Sequence, residues 1–178
     1  MKYISILRGI NVSGQKKIKM ADLKSLYENE GFEDVVTYIQ SGNVLFDSEN
    51  KTVEEIKSRI ECAIREKYGF DVPIDIRTKE EYQEIINSCP YEEAKLEENE
   101  TKVLVSFLSR NPSGDKKKQL EAIAKNPERL KIDGRVVYLY CPNGYGKSKL
   151  SNTFIESKLG LVSTTRNWKT VRKLVELG

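Results

Sequence analysis

Histidine is absent from this sequence of 178 residues. No Ser-His-Asp or Cys-His triad, no histidine general base and no His-containing zinc site can be built from it. Cysteine is scarce. Cys62, Cys89 and Cys141 are odd in number, widely spaced and without a C-x-x-C pair. They read as buried or idle thiols, not as a disulfide framework or a redox centre. Long apolar runs are also missing. The opening run Tyr3-Ile4-Ser5-Ile6-Leu7 stops at Arg8, too soon for a secretory core. The longest stretch without charge runs from Val35 to Phe46 and contains Gln40, Ser41, Gly42 and Asn43. A bilayer span needs roughly 20 predominantly apolar residues. The expectation is a cytoplasmic protein with no membrane partner, no cofactor and no metal.

Net charge is also small, +3, but it is a cancellation. Residues 1–19 hold five Lys or Arg and no acid, whereas residues 79–100 hold eight acids and two bases. Residues 20–78 are acidic as well, and residues 101–178 are basic. A polyanion would be drawn to the opening segment and to the second half.

Periodicity organises the chain into two similar halves. In the first, the β-rich opening run precedes Met20, Leu23, Leu26 and Tyr27 at helical spacing, and Gly31-Phe32 closes that helix in Schellman fashion. Strands over Val35–Ile39 and Asn43–Phe46 flank a Ser41-Gly42 turn. The capping box Thr52-Val53-Glu54-Glu55 starts a helix carrying Ile56, Ile60 and Ile64, which ends at Gly69. Pro73–Ile76 is a further strand. The second half repeats the order: a strand at Val103–Leu108, a helix around Leu120, an Asp133-Gly134 hairpin, a helix through Leu150, Phe154 and Leu159, and a strand at Leu161–Thr165. The offset between equivalent points drifts smoothly, from 100 (Tyr3 to Val103) to 91 (Gly69 to Gly160). These patterns predict an α+β protein of two tandem ferredoxin-like βαββαβ units with antiparallel sheets, plus a C-terminal helix. Unit 1 covers residues 1–77. An acidic linker with a helix covers 78–100, its stretch Tyr91–Glu100 reading as solvated. Unit 2 with the C-terminal helix covers 101–178. Each unit alone is small, so the halves are expected to pack on one another.

The polar motifs fall at strand ends. Arg8-Gly9-Ile10-Asn11-Val12-Ser13-Gly14-Gln15-Lys16-Lys17 joins the first strand to its helix, and the hairpin Gln40-Ser41-Gly42-Asn43 belongs at the same end of the sheet. Arg8 grips an oxyanion bidentately, and Lys16 and Lys17 act as point charges. In the second half, Gly144-Tyr145-Gly146-Lys147-Ser148-Lys149 has the tail of a phosphate loop, but Cys141 stands where the first glycine would be. What survives is an anion cradle with Ser148 as helix N-cap and Lys147 and Lys149 beside it. Arg166 and Asn167 leave the last strand at that end, and Asn167 is positioned to cap the final helix. Trp168 reads as core or as a stacking platform for a base. Tyr138 and Tyr140, on one strand face, read as core or as an interface.

Four motifs carry a family resemblance: Leu7-Arg8-Gly9-Ile10-Asn11-Val12, Tyr38-Ile39-Gln40-Ser41-Gly42-Asn43, Gly144-Tyr145-Gly146-Lys147-Ser148-Lys149-Leu150 and Thr165-Arg166-Asn167-Trp168-Lys169-Thr170. In this order they resemble the bacterial domain-of-unknown-function 1697 family over essentially the whole chain. The resemblance implies tandem α-β plaits and supplies no activity. Ser13 departs from the Gly-Gly pattern of that loop in the family.

The functional expectation is a protein binding a phosphate-bearing ligand, a nucleotide or nucleic acid, through Arg8, Asn11, Lys16, Lys17, Ser41, Asn43, Lys147, Ser148, Lys149, Arg166 and Asn167. One alternative is a small enzyme on a phosphorylated metabolite, acylphosphatase-like, with Arg8 on the oxyanion and Asn11 or Asn43 positioning water. Another is a protein–protein interaction module.

Overall fold

The computed structural model describes residues 1–49 and 51–178. The chain divides into two compact units, Met1–Gln83 with Leu174–Gly178, and Glu84–Lys173. In the first unit the elements run β1 (Lys2–Leu7), α1 (Met20–Asn29), β2 (Glu33–Tyr38), β3 (Asn43–Asp47), α2 (Val53–Tyr68) and β4 (Ile74–Thr78). The antiparallel sheet has the order β2-β3-β1-β4, the ferredoxin-like arrangement. β1 alternates faces. Tyr3 and Leu7 join Val44, Phe46, Ile74 and Ile76 under the two helices, where Leu23, Leu26, Tyr27, Ile56, Ile60 and Ile64 complete the core. Tyr27, Phe32 and Phe46 form an aromatic triangle with ring centroids 4.9–5.9 Å apart. Ser5 lies on this face too, and its hydroxyl meets the Tyr27 hydroxyl at 2.8 Å, which satisfies a buried phenol. The opposite face carries Ile4, Ile6 and Leu45, also buried, and a buried Asp75–Arg77 ion pair at 2.9 Å.

Local signals explain the boundaries. Thr52 and Glu55 form the capping box. α1 ends in a Schellman motif: the Phe32 N–H reaches the Tyr27 carbonyl at 3.2 Å, and the Gly31 N–H reaches that of Glu28 at 3.0 Å.

The second unit repeats the topology with β5 (Val103–Leu108), α4 (Gly114–Ile123), β6 (Arg129–Asp133), β7 (Val136–Tyr140), α5 (Asn152–Leu159) and β8 (Ser163–Asn167), in the sheet order β6-β7-β5-β8. Leu104, Leu108, Leu130, Ile132, Val137 and Leu139 pack under Leu120, Ile155 and Leu159. The chain passes from the first unit to the second along α3 (Lys79–Asn87) and returns along α6 (Trp168–Leu177). Both helices start directly from a strand. Thr78 accepts the Glu81 N–H while Glu81 accepts that of Thr78, and Asn167 accepts the Thr170 N–H at 2.9 Å. Trp168 is 3% exposed and Tyr138 is 2% exposed, so both are core, and the Tyr138 hydroxyl donates to the Ile85 carbonyl at 2.9 Å.

Two expectations need correction. The second hairpin turns on Gly134-Arg135, since Asp133 still pairs with Val136 in the strands. Only Gly134 of the two turn residues has a positive φ, 53°, and the glycine therefore takes the first turn position. The stretch Tyr91–Glu100 is not a solvated linker. It folds into short 3-10 turns at Glu92–Lys95 and Glu97–Asn99, and Tyr91, Ala94 and Asn99 are buried. Tyr91 anchors it. Its hydroxyl donates to the Tyr138 carbonyl at 3.2 Å, and the Arg129 guanidinium lies 4.9 Å from the Tyr91 ring and 4.6 Å from that of Tyr140 while pairing with Glu93. Charge count alone missed this, because the anchors are single aromatic and small residues among many acids.

Candidate functional site

Three loops meet at one end of the first unit's sheet: the β1–α1 loop, the β2–β3 hairpin and the α2–β4 turn. The Leu7 N–H donates to the Gly42 carbonyl at 2.8 Å, and the Arg8 N–H to that of Pro73 at 2.9 Å. Gly42 is required here. A Cβ on it would lie 2.5 Å from Ile10 Cδ1 and 3.0 Å from Leu7 Cβ, and its φ is 79°.

The β1–α1 loop follows an unusual path. Gly9, Asn11 and Ser13 have positive φ while Ile10 and Val12 do not, and Gly14 and Lys16 are again positive. Ser13 takes φ 51° without being glycine. Left-handed residues other than glycine cost on the order of 1–2 kcal/mol each, so the surroundings must hold this path in place. Asn11 does so. Its carboxamide donates to the Ile18 carbonyl at 2.9 Å and to the Gln40 carbonyl at 2.8 Å, and accepts the Ile18 N–H at 2.9 Å. Lys16 secures the third loop by donating to the Asp71 carbonyl at 2.6 Å. Lys17 and Lys19 are exposed. Among the described residues, the N–H groups of Gly9, Ile10, Ser13 and Gly14 have no partner within the protein.

The structure thus brings Arg8, Asn11, Lys16, Lys17, Ser41 and Asn43 to one end of one unit, with different duties. Asn43 is buried and its amide donates to the Tyr38 carbonyl at 2.8 Å and to Ser41 Oγ at 3.0 Å. The side-chain N–H donors of Asn11 and Asn43 are therefore spent within the loops, and neither has a donor left for a water in the acylphosphatase-like reading. The α2–β4 turn, with Phe70 and Asp71, was missed from the sequence. The β-α-β-β-α-β order places it at this end, and that was its only signal.

In the second unit the expected cradle is built differently. α5 begins at Asn152, and Ser151 is its N-cap, accepting the Phe154 N–H at 3.2 Å. Ser148 is not the cap; its Oγ accepts the Leu150 N–H at 3.0 Å inside the preceding loop. The reason is packing: Leu150 is buried, so the chain runs inward before the helix starts. Lys147 and Lys149 are exposed on this loop. Cys141 at its base is buried. Burial pushes its thiol up, against a smaller opposing effect of the Ser148 hydrogen bond. Arg166 pairs in register with Val105 and so projects from the sheet face opposite α4 and α5. Asn167 spends its side-chain oxygen on the cap of α6. The equivalent strand of the first unit carries Arg77 in the same place, opposite Ile4.

The second unit also holds a cavity of about 510 Å³, lined by Ile86, Cys89, Tyr91, Ala94, Trp168 and Arg172 among others. Arg172 donates to Glu100 at 3.0 Å at its edge. Burial pushes the Cys89 thiol up, against an opposing backbone hydrogen bond at Tyr91. Among the described residues no cluster of three or more Cys, Asp or Glu is placed to hold a metal ion, and no helix is long and apolar enough to cross a membrane.

A search of curated proteins gives no match. Among solved structures the chain is similar to the conserved bacterial protein SP0830 from Streptococcus pneumoniae. The two share 22% identity and a TM-score of 0.76 over 99% of this chain and 97% of the other. At that identity the likeness speaks for the fold alone. The family model described as "Protein of unknown function (DUF1697)" matches residues 1–138, and the chain belongs to that family.

Proposed function

We propose that the first unit binds the phosphate group of a nucleotide or nucleic acid at the Arg8–Lys19 loop. One observation carries this reading. The left-handed residues Gly9, Asn11 and Ser13 shape an acid-free segment, carrying Arg8, Lys16, Lys17 and Lys19, in which the Asn11 N–H is spent on the Lys16 carbonyl at 3.2 Å and the N–H groups of Gly9, Ile10, Ser13 and Gly14 are unspent. Alternation of this kind turns successive N–H groups toward one side, the geometry of an anion-binding nest. Holding several non-glycine residues in a costly conformation is typical of ligand clamps. Binding is favoured over hydrolysis because Asn11 and Asn43 are already committed within the loops.

The test is a titration with pyrophosphate, followed by the amide resonances of Gly9, Ile10, Ser13 and Gly14. Saturable shifts confined to this loop are expected, weakened about tenfold by Lys17→Ala, the scale of one lost charge-assisted contact. For a single-stranded oligonucleotide, affinity should also fall log-linearly with salt. Unshifted loop amides, or equal binding by the Lys17 variant, would refute the reading.

A further inference from the structure

The same end of the first unit carries a second feature that anion binding does not use. Val12 and Ile39 are 58% and 47% exposed. Each is the chain neighbour of one end of the Asn11–Gln40 hydrogen bond, so both belong to the backbone segments that this bond joins. Ile39 has φ 50°. A β-branched residue there is a steric outlier that glycine or asparagine would relieve. An isoleucine held in strain with its side chain in water is a knob for a partner. Lys17 and Lys19, on the same β1–α1 loop as Val12, are exposed and without an acidic partner among the described residues.

The second unit presents the complement. Leu96 is 51% exposed, between Glu92 and Glu93 on one side and Glu97 and Glu98 on the other. Glu97 and Glu98 are exposed and have no cationic partner among the described residues, unlike Glu92, Glu93 and Glu100, which pair with Lys95, Arg129 and Arg172. The same segment walls the cavity of about 510 Å³ whose apolar lining is Ile86, Tyr91, Ala94 and Trp168.

We propose that the chain self-associates through a heterologous contact. The Val12/Ile39 knob and Lys17 and Lys19 of one copy seat on the Leu96 segment, its cavity and the Glu97 and Glu98 carboxylates of a second copy. One surface carries exposed Val12 and Ile39 with unspent Lys17 and Lys19 on the Val12 loop, and the other carries exposed Leu96 next to unspent Glu97 and Glu98, while the cations lining the cavity, Lys95 and Arg172, are spent on Glu92 and Glu100. A contact between two different surfaces of one chain generates a ring, a chain of copies or a reciprocal pair. The contact shares Lys17 and Lys19 with the proposed phosphate site, so its test turns on Ile39, Glu97 and Glu98, which phosphate binding does not use.

The experiment is sedimentation velocity over a concentration series at low and high salt. Average mass should rise with concentration at low salt and fall back at high salt. Ile39→Asn should weaken association about tenfold or more, as a central anchor does, and should fold at least as stably because asparagine tolerates this φ. The double variant Glu97→Lys/Glu98→Lys should also be monomeric. Each variant keeps one intact surface, so mixing the two should restore association. A wild-type chain that stays monomeric at low salt, an Ile39→Asn chain that associates like wild type, or a mixture that stays monomeric would each overturn the proposal. Pyrophosphate binding would be untouched by any of these failures.

Discussion

Replacement of Asn11 tests whether one carboxamide holds the β1–α1 loop. Asn11→Ala removes three hydrogen bonds of 2.8–2.9 Å. At a net of about 1 kcal/mol each, discounted because two are only partly buried and one is exposed, the loss is roughly 2 kcal/mol. Alanine must also hold φ 56°, which adds on the order of 1 kcal/mol. Asn11→Ala should therefore cost about 3 kcal/mol. Asn11→Gly removes the same bonds but adopts the dihedral freely, and should cost about 1 kcal/mol less than alanine, offset in part by its greater freedom when unfolded. Asn11→Asp keeps the acceptor for the Ile18 N–H but turns carboxylate oxygens toward the carbonyls of Ile18 and Gln40, and should be at least as damaging as glycine. The measurement is urea unfolding followed by circular dichroism, together with native-state amide exchange at Ile18, which reports the loop itself. If alanine costs less than about 1 kcal/mol and leaves Ile18 exchange unchanged, the assignment of Asn11 as the organiser is wrong.

Gly42→Ala combines a 2.5 Å clash on Ile10 with a φ of 79° and should cost at least about 2 kcal/mol in the same unfolding assay; Ile10→Ala in the same chain should restore part of it if the clash is real. Burial raises the Tyr27 phenol far above its ordinary value, against a smaller opposing effect of the Ser5 hydrogen bond. Below about pH 10 the unfolded phenol is neutral as well, and the contribution is fully present. Above that, only the unfolded chain ionises, so stability should fall as pH rises past about 10. Tyr27→Phe should flatten that fall, and an unchanged alkaline slope across the two proteins would count against it. Arg129→Ala removes the guanidinium from between Tyr91 and Tyr140 and its pair with Glu93. It should cost about 1–2 kcal/mol and speed proteolytic cleavage within Tyr91–Glu100; equal cleavage would show that Tyr91 alone anchors the segment.

Much of the architecture was legible because its signals are local. A helix carrying Ile56, Ile60 and Ile64 behind a Thr52–Glu55 box, or one closed by Gly31-Phe32, declares itself within a dozen residues. Two such sets in the same order made the tandem fold readable. The hairpin at 133–136 was misplaced by one position because Asp-Gly marks a turn without stating which residue still pairs.

The site was legible only in part. Glycines and basic residues pointed to the β1–α1 loop, and topology brought the Ser41-Gly42 hairpin to it. Composition could not say that Asn11 and Asn43 spend their amides inside the protein, or that Ser151 and not Ser148 caps its helix, because both depend on which neighbours are buried. The fold class, the two-unit plan and the acid-free opening segment follow from residue order alone, since periodicity, caps and charge are properties of neighbours along the chain. The left-handed path of Gly9 to Lys16, the exposure of a strained Ile39 and the anchoring of Tyr91 by Arg129 arise only when distant segments meet. Their energies lie in hydrogen bonds and packing across roughly 30 to 50 positions of sequence.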